Sequence, residues 1–159
     1  MKQPLATLLA VAASAAVAVP AHAADVRAGD LMIRNASIRP TLTGSRTTSG
    51  YVVVINSGRA ADRLVSASCG CASSVMIHHM WTDHGIMRMR EAAGGLEIPA
   101  GRVLALSAGG DHLMFMNAKP LKIGQKVRVT LVFARAGKVA IDMPVRGQPG
   151  AMKMPGMTP

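Results

Sequence analysis

The 159-residue chain has 18 Lys and Arg against 8 Asp and Glu, only 3% aromatic residues, 12 methionines and two cysteines. With so few acidic residues, no paired carboxylates beside the histidines and no Ser-His-Asp context, it offers little from which an enzyme could be built. The basic residues are scattered, with no run longer than two, so they read as a solvated surface and not as a nucleic-acid stripe.

The chain opens "MKQPLATLLAVAASAAVAVPAHAAD": one lysine, a small and apolar run, then the small-x-small triplet Ala21-His22-Ala23. This predicts a cleavable export signal over residues 1–23 and a periplasmic, soluble product. The run is alanine-rich and no basic cluster follows it, which argues against a membrane span. Removing Lys2 leaves 17 basic and 8 acidic residues, and 159 − 23 = 136 residues remain, enough for one domain with a core. Export also removes nucleic acid from the expected partners.

Short segments with period-2 alternation or β-branched enrichment follow, separated by Gly, Asn, Asp and Pro. In chain order they cover 31–40, 50–56, 62–69, 74–81, 85–91, 102–108, 112–117, 126–134 and 138–145. Nine strand candidates at this spacing, with no 12-residue helical pattern among them, predict an all-β domain, an antiparallel sandwich or barrel with Greek-key connections. "VFARAGKVAI" reads as a hairpin through Ala136-Gly137, and "NSGRAADR" as a loop. The last residues, "RGQPGAMKMPGMTP", have no periodicity, which predicts a disordered tail over 147–159 after a domain of 24–146. Met152, Met154 and Met157 in that tail are either loose captors of a soft metal or chance methionines.

Cys69 and Cys71 form a Cys-Gly-Cys segment. In an oxidising compartment two cysteines usually pair, but this spacing closes a very small ring and excludes a staple across the fold. A labile redox pair, an auxiliary thiolate metal site and two inert thiols all remain open.

The unusual stretch is "VMIHHMWTDHGIMRMR" (75–90), with four methionines and three histidines. Taken as a hairpin turning at Asp83-His84, with Gly85 relieving the backbone, opposed residues have numbers summing to 167: His78 faces Met89, and Met80 faces Met87. One face then carries His78, Met80, Met87 and Met89, and the other His79, Arg88 and Arg90. "HLMFM" repeats the chemistry, with His112, Met114 and Met116 on one side and Leu113 and Phe115 as the core-facing pair. Imidazole with thioether is a soft, uncharged ligand set that suits Cu(I) and needs no deprotonation. Met80, Met87 and Met116 read as a hydrophobic collar around such a site. Trp81 is a candidate shield, Asp111 a candidate acceptor orienting an imidazole, and His79 and His84 are expected to face solvent, with His84 a candidate helper for Cu(II).

These residues resemble a known family, the periplasmic PCu(A)C-type copper chaperones, whose motif is His, ten residues, Met, about twenty-one residues, then His-x-Met. Here ten residues separate His78 from Met89, twenty-two separate Met89 from His112, and His112-Leu113-Met114 completes the pattern. "MRMRE", "GLEIPAG", "GGDHLMFM" and "PLKIGQKV" look like the family's blocks, and the likeness spans residues 30–146. The longer second gap falls most simply in "EAAGG", and Cys-Gly-Cys is no part of the motif. The resemblance implies a cupredoxin-like antiparallel Greek-key β-sandwich, with His78, Met89, His112 and Met114 as ligands to copper as Cu(I). It further implies delivery of that copper to a cytochrome oxidase subunit carrying a copper site, beside a Sco-type thiol copper protein. Copper sequestration, and an interaction sandwich without metal, are the alternatives. A blue-copper electron carrier fits poorly, because neither cysteine lies in the His112 loop.

Overall fold

The computed structural model describes residues 25–147. The expected export signal and the tail methionines Met152, Met154 and Met157 lie outside them. Eleven strands and no helix are found among the described residues: β1 (Val26–Ala28), β2 (Leu31–Ile38), β3 (Thr47–Asn56), β4 (Asp62–Cys69), β5 (Ser74–Asp83), β6 (Ile86–Glu91), β7 (Leu96–Ile98), β8 (Val103–Leu106), β9 (His112–Met116), β10 (Lys126–Phe133) and β11 (Gly137–Pro144). All nine expected segments are strands. The two extra ones, β1 and β7, have three residues each, too few for an alternating pattern to show.

The strands form one antiparallel sheet in the order β1-β2-β3-β9-β5-β4-β10-β11, with β6 on β5, β7 on β4 and β8 on β3. A bridge between Ile38 and Val145, together with the Arg146 N–H donated to the Ile38 carbonyl, joins β2 to the chain just after β11. The domain is therefore a single all-β unit, and its two layers are halves of one continuous, nearly closed sheet.

Alternation decides which side chains fill it. On β3 the even-numbered residues from Thr48 to Asn56 are buried and the odd-numbered ones are not. Phe115, Phe133, Leu64, Leu113, Leu131 and Ile98 are fully buried from other strands, each worth about 1.5–3 kcal/mol in transfer from water. At Gly50 a Cβ would come within 2.6 Å of the Phe115 ring, so the glycine is what lets that ring lie against β3.

The connection that matters for function is the return of β9 into the middle of the sheet. It pairs with β3 on one side (Gly50 with Leu113) and with β5 on the other (Ile77 with Leu113). This long-range insertion is the Greek-key element expected from the strand count.

The β10–β11 turn lies earlier in the chain than expected. Phe133 pairs with Gly137, so the turn is Ala134, Arg135 and Ala136, not one centred on Ala136-Gly137. The cause is Asp62, a buried carboxylate that accepts the N–H groups of Arg135 (2.8 Å), Ala136 (3.0 Å) and Arg63 (2.7 Å). Asp62→Ala strands these donors, and urea unfolding of the variant is expected to show a loss of about 2–4 kcal/mol. A loss within experimental error of zero would show that water replaces the carboxylate there.

Candidate metal site

Strand β5 changes neighbours along its length. Residues Ser74 to His78 pair with β9, and His78 to Asp83 pair with β6, so the β5–β6 hairpin runs on beyond the end of β9. Ile77, Leu113 and Phe115 are buried in the core. Alternation therefore puts Met76, His78 and Met80 of β5 on the opposite face, together with His112, Met114 and Met116 of β9.

His78 and His112 are directly opposed in the register, and their rings meet edge to face with centroids 5.5 Å apart. A ring nitrogen lies about 1.2 Å from its centroid and binds a metal at about 2.0–2.1 Å, so two imidazoles on one ion have centroids up to about 6.6 Å apart. The observed separation falls inside that span. His112 is only 6% exposed and donates Nδ1–H to the Gly110 carbonyl at 2.9 Å. A carbonyl can only accept, so this bond fixes the tautomer and leaves Nε2 with a free lone pair. His78 Nδ1 is buried and has no hydrogen-bond partner. Burial first, and then His112 beside it, push the His78 pKa below its ordinary value, against a smaller opposing pull from Glu91. Burial thus disfavours the charged form of His78, His112 presents Nε2 because its Nδ1–H is taken by Gly110, and an orphaned buried nitrogen fits a site built for an ion.

The hairpin corrects one expectation. Asp83 pairs with Ile86, so the two turn residues are His84 and Gly85, with φ of 48° and 82°. This is the double left-handed geometry of a type I′ turn, which places glycine second and matches the twist of the strands. Opposed residues consequently sum to 169, not 167. Met89 faces Met80, Met87 faces Thr82, and His78 faces Glu91. The slip is two residues, so every side chain keeps its face. Met89 and Met114 become diagonal neighbours of His78 on opposite sides, at about 7–8 Å between backbones. Met89 is 51% exposed and Met87 57% exposed, so the β6 arm of the cluster is open to solvent.

The reverse face of the hairpin carries His79 and Arg90, a cross-strand pair, and Trp81 opposite Arg88. Trp81 stacks on His79 (5.7 Å) and lies under the Arg90 guanidinium (5.4 Å). It sits behind the histidine pair and does not shield it. Asp111 orients an imidazole, but that of His79 (2.7 Å), not of its neighbour His112, and the same oxygen accepts the Met80 N–H at 3.1 Å. Asp111 therefore ties the hairpin to the start of β9. His84 is at the exposed tip, bonded to Asp83 and six positions along from His78. Cys69 and Cys71 are joined as a disulfide at the other end of β5, below Ser74.

Residues 31–145 match the family model described as "Putative lipoprotein LpqE-like". The chain belongs to the LpqE-like family. Over 109 residues this LpqE-like chain is 39% identical to "Putative lipoprotein Lxx21020" of Leifsonia xyli subsp. xyli, covering 68% of itself and 66% of that relative, slightly under two thirds of its length. Among solved structures it is similar to the apo PCuAC domain from PmoF1, with a TM-score of 0.68 and 25% identity over 79% of this chain and 100% of that one. The copper-bound PCuAC domain from PmoF2 gives 0.67 and 25% identity over 79% and 99%. The Cu(I) form of DR1885 from Deinococcus radiodurans gives 0.58 and 32% identity over 70% and 74%. The LpqE-like domain is thus of the PCuAC type, as the motif suggested.

Two residues of the cluster were not singled out from the LpqE-like sequence. Met76 opposes Met114, and stepping back two residues from His78 would have found it. Glu91 opposes His78, and only the true turn register reveals that carboxylate. Asp111→Ala removes a charged hydrogen bond worth about 1.5–3 kcal/mol from the Met80 amide. Hydrogen exchange at Met80 is expected to accelerate about 10–100-fold, while Leu113 stays protected. Unchanged exchange at Met80 would remove Asp111 from the role of hairpin tie.

Proposed function

We propose that the protein is an exported carrier of Cu(I), holding its cargo with His78, Met89, His112 and Met114 and passing it to the copper centre of a respiratory cytochrome oxidase subunit. The observation that carries this reading is the pair of opposed imidazoles, each with an available ring nitrogen, set among thioethers. Soft, neutral ligands favour Cu(I) over hard hydrated ions. Relatives described as copper-bound and as a Cu(I) form support the choice of metal. A family described as lipoproteins supports export, the context in which a Sco-type thiol copper protein would be the companion.

The graded exposure of the ligands suits transfer. His112 is buried and orientationally fixed, whereas Met89 stands open on the hairpin. An incoming imidazole or thiolate can displace the Met89 thioether first and the histidines last, so the ion is never without partners. The single charge of Cu(I) is partly balanced by Glu91, which opposes His78. Binding and hand-over need no bond making in a substrate, and we assign no catalytic residue. Sequestration would use the same ligands, but an exposed arm favours delivery over storage.

Cu(I) competition titrations are expected to show that His78→Ala and His112→Ala each weaken affinity at least about tenfold, given that even outer-sphere partners of metal ligands cost that much. X-ray absorption on Met89→Leu should lose one sulfur scatterer, and an unchanged spectrum would take Met89 out of the site. Mixing the Cu(I) protein with an apo oxidase copper domain should move the copper-dependent NMR shifts to the acceptor. Retention of copper by the donor would favour sequestration.

A further inference from the structure

The copper reading leaves the Cys69–Cys71 disulfide unused. We propose that it is a second functional site, a thiol–disulfide exchange centre that accepts two electrons from a dithiol presented on an acidic surface. The bond spans a sequence separation of two, so it fastens no two elements of the fold. The turn it closes is already held by main-chain bonds, Ala72 N–H to the Cys69 carbonyl and Lys119 N–H to the Cys71 carbonyl. Both cysteines are half-buried, yet Cys71 reaches a surface groove, and disulfides that are exposed to a partner and do not staple a fold are the labile, exchanging ones.

The surroundings give the bond a direction. Cys71 lines an open groove with Gly70, Lys119, Lys126 and Arg128. Arg128 is engaged by Asp142 through two bonds of 2.6 and 2.9 Å, which leaves Lys119 and Lys126 as the cations facing an approaching ligand. The Cys71 N–H points at Cys69 Sγ, 2.9 Å away. A donor aimed at one sulfur stabilises negative charge there, so Cys69 is the better leaving group and Cys71, on the groove, the sulfur that is attacked.

The exchange runs in two displacements. A partner thiolate attacks Cys71 Sγ, forming an intermolecular disulfide as the Cys69–Cys71 bond breaks, and Cys69 leaves as a thiolate that takes a proton from water. The partner's second thiolate then attacks the partner sulfur of that mixed disulfide, closing the partner's own disulfide and releasing Cys71 as a thiolate, which is protonated in turn. The partner loses two electrons and this chain gains them. The centre lies beyond Ser74, on the far side of Met76 and Met116 from the histidine pair, and requires no copper.

The test uses the copper-free mature protein and two monothiols as probes, anionic glutathione and cationic cysteamine, at equal thiolate concentration. Reduction is followed by alkylation and mass spectrometry, with an oxidised Cys-Gly-Cys peptide as reference. The folded protein is expected to react with glutathione at least as fast as the peptide does. Glutathione should outpace cysteamine by about tenfold at low salt, the ratio approaching one at high salt and in a Lys119→Glu/Lys126→Glu variant. Acid-quenched, partial reactions of the wild type with glutathione should trap the mixed disulfide several-fold more on Cys71 than on Cys69, which tests the direction without relying on the charge variant. Reduction only under unfolding conditions, equal rates for the two probes, or equal trapping by the two cysteines would overturn the proposal.

Discussion

Everything at the candidate site depends on where β9 is pinned. Leu113 is opposed to Gly50 on one side and to Ile77 on the other, and its side chain is fully buried. With three strands locked at that one rung, the residue before it must present its side chain to the outer face beside His78. A register slip of one residue in β9 would put His112 into the core and Leu113 into water, a double cost of a stranded polar ring and lost apolar burial. The hydrophobic core therefore sets the separation of two imidazoles that are 34 residues apart in sequence. No metal is needed to bring them together.

That pinning fades along the hairpin. Up to His78, β5 has β9 as a neighbour. Beyond it the main tie back to β9 is Asp111, reaching the Met80 amide and the His79 ring. All six residues of β6 are exposed. The same surface thus joins a rigid, mostly buried imidazole to progressively looser thioethers, a gradient that comes from the sheet ending and not from any special property of methionine. Methionine contributes what a loose arm needs, a flexible side chain and a polarizable donor that carries no charge when it lets go.

Most of the fold was legible because period-2 alternation is strong in long strands and fixes which face each residue takes. Face assignment survived even where the turn was misplaced, since moving the turn from Asp83-His84 to His84-Gly85 changes the sum of opposed numbers by two. What alternation cannot supply is partner identity across strands. Met80 opposite Met89, and Glu91 opposite His78, follow from a left-handed pair of turn residues, and histidine in that conformation is uncommon enough that the sequence did not announce it. The three-residue strands and the capture of the β10–β11 turn by Asp62 were hidden for a related reason, since both are decided by tertiary hydrogen bonds. Asp111 was recognisable as an acceptor for an imidazole. Which imidazole it takes depends on β5 running past the end of β9.

The two sulfur chemistries of this chain are kept apart by the same sheet. Thioethers cluster around His78 and His112, and the disulfide closes the turn at the opposite end of β5. Reduced thiols close to the imidazoles would compete for Cu(I), because a thiolate adds charge as well as softness. Separation by about four residues of extended strand, on the order of 13 Å, exceeds the reach of any one side chain. For the proposed carrier that distance matters: thioethers and the Glu91 carboxylate, not thiols, stand beside the histidines, and the proposed exchange at the cysteines would leave those side chains unaltered.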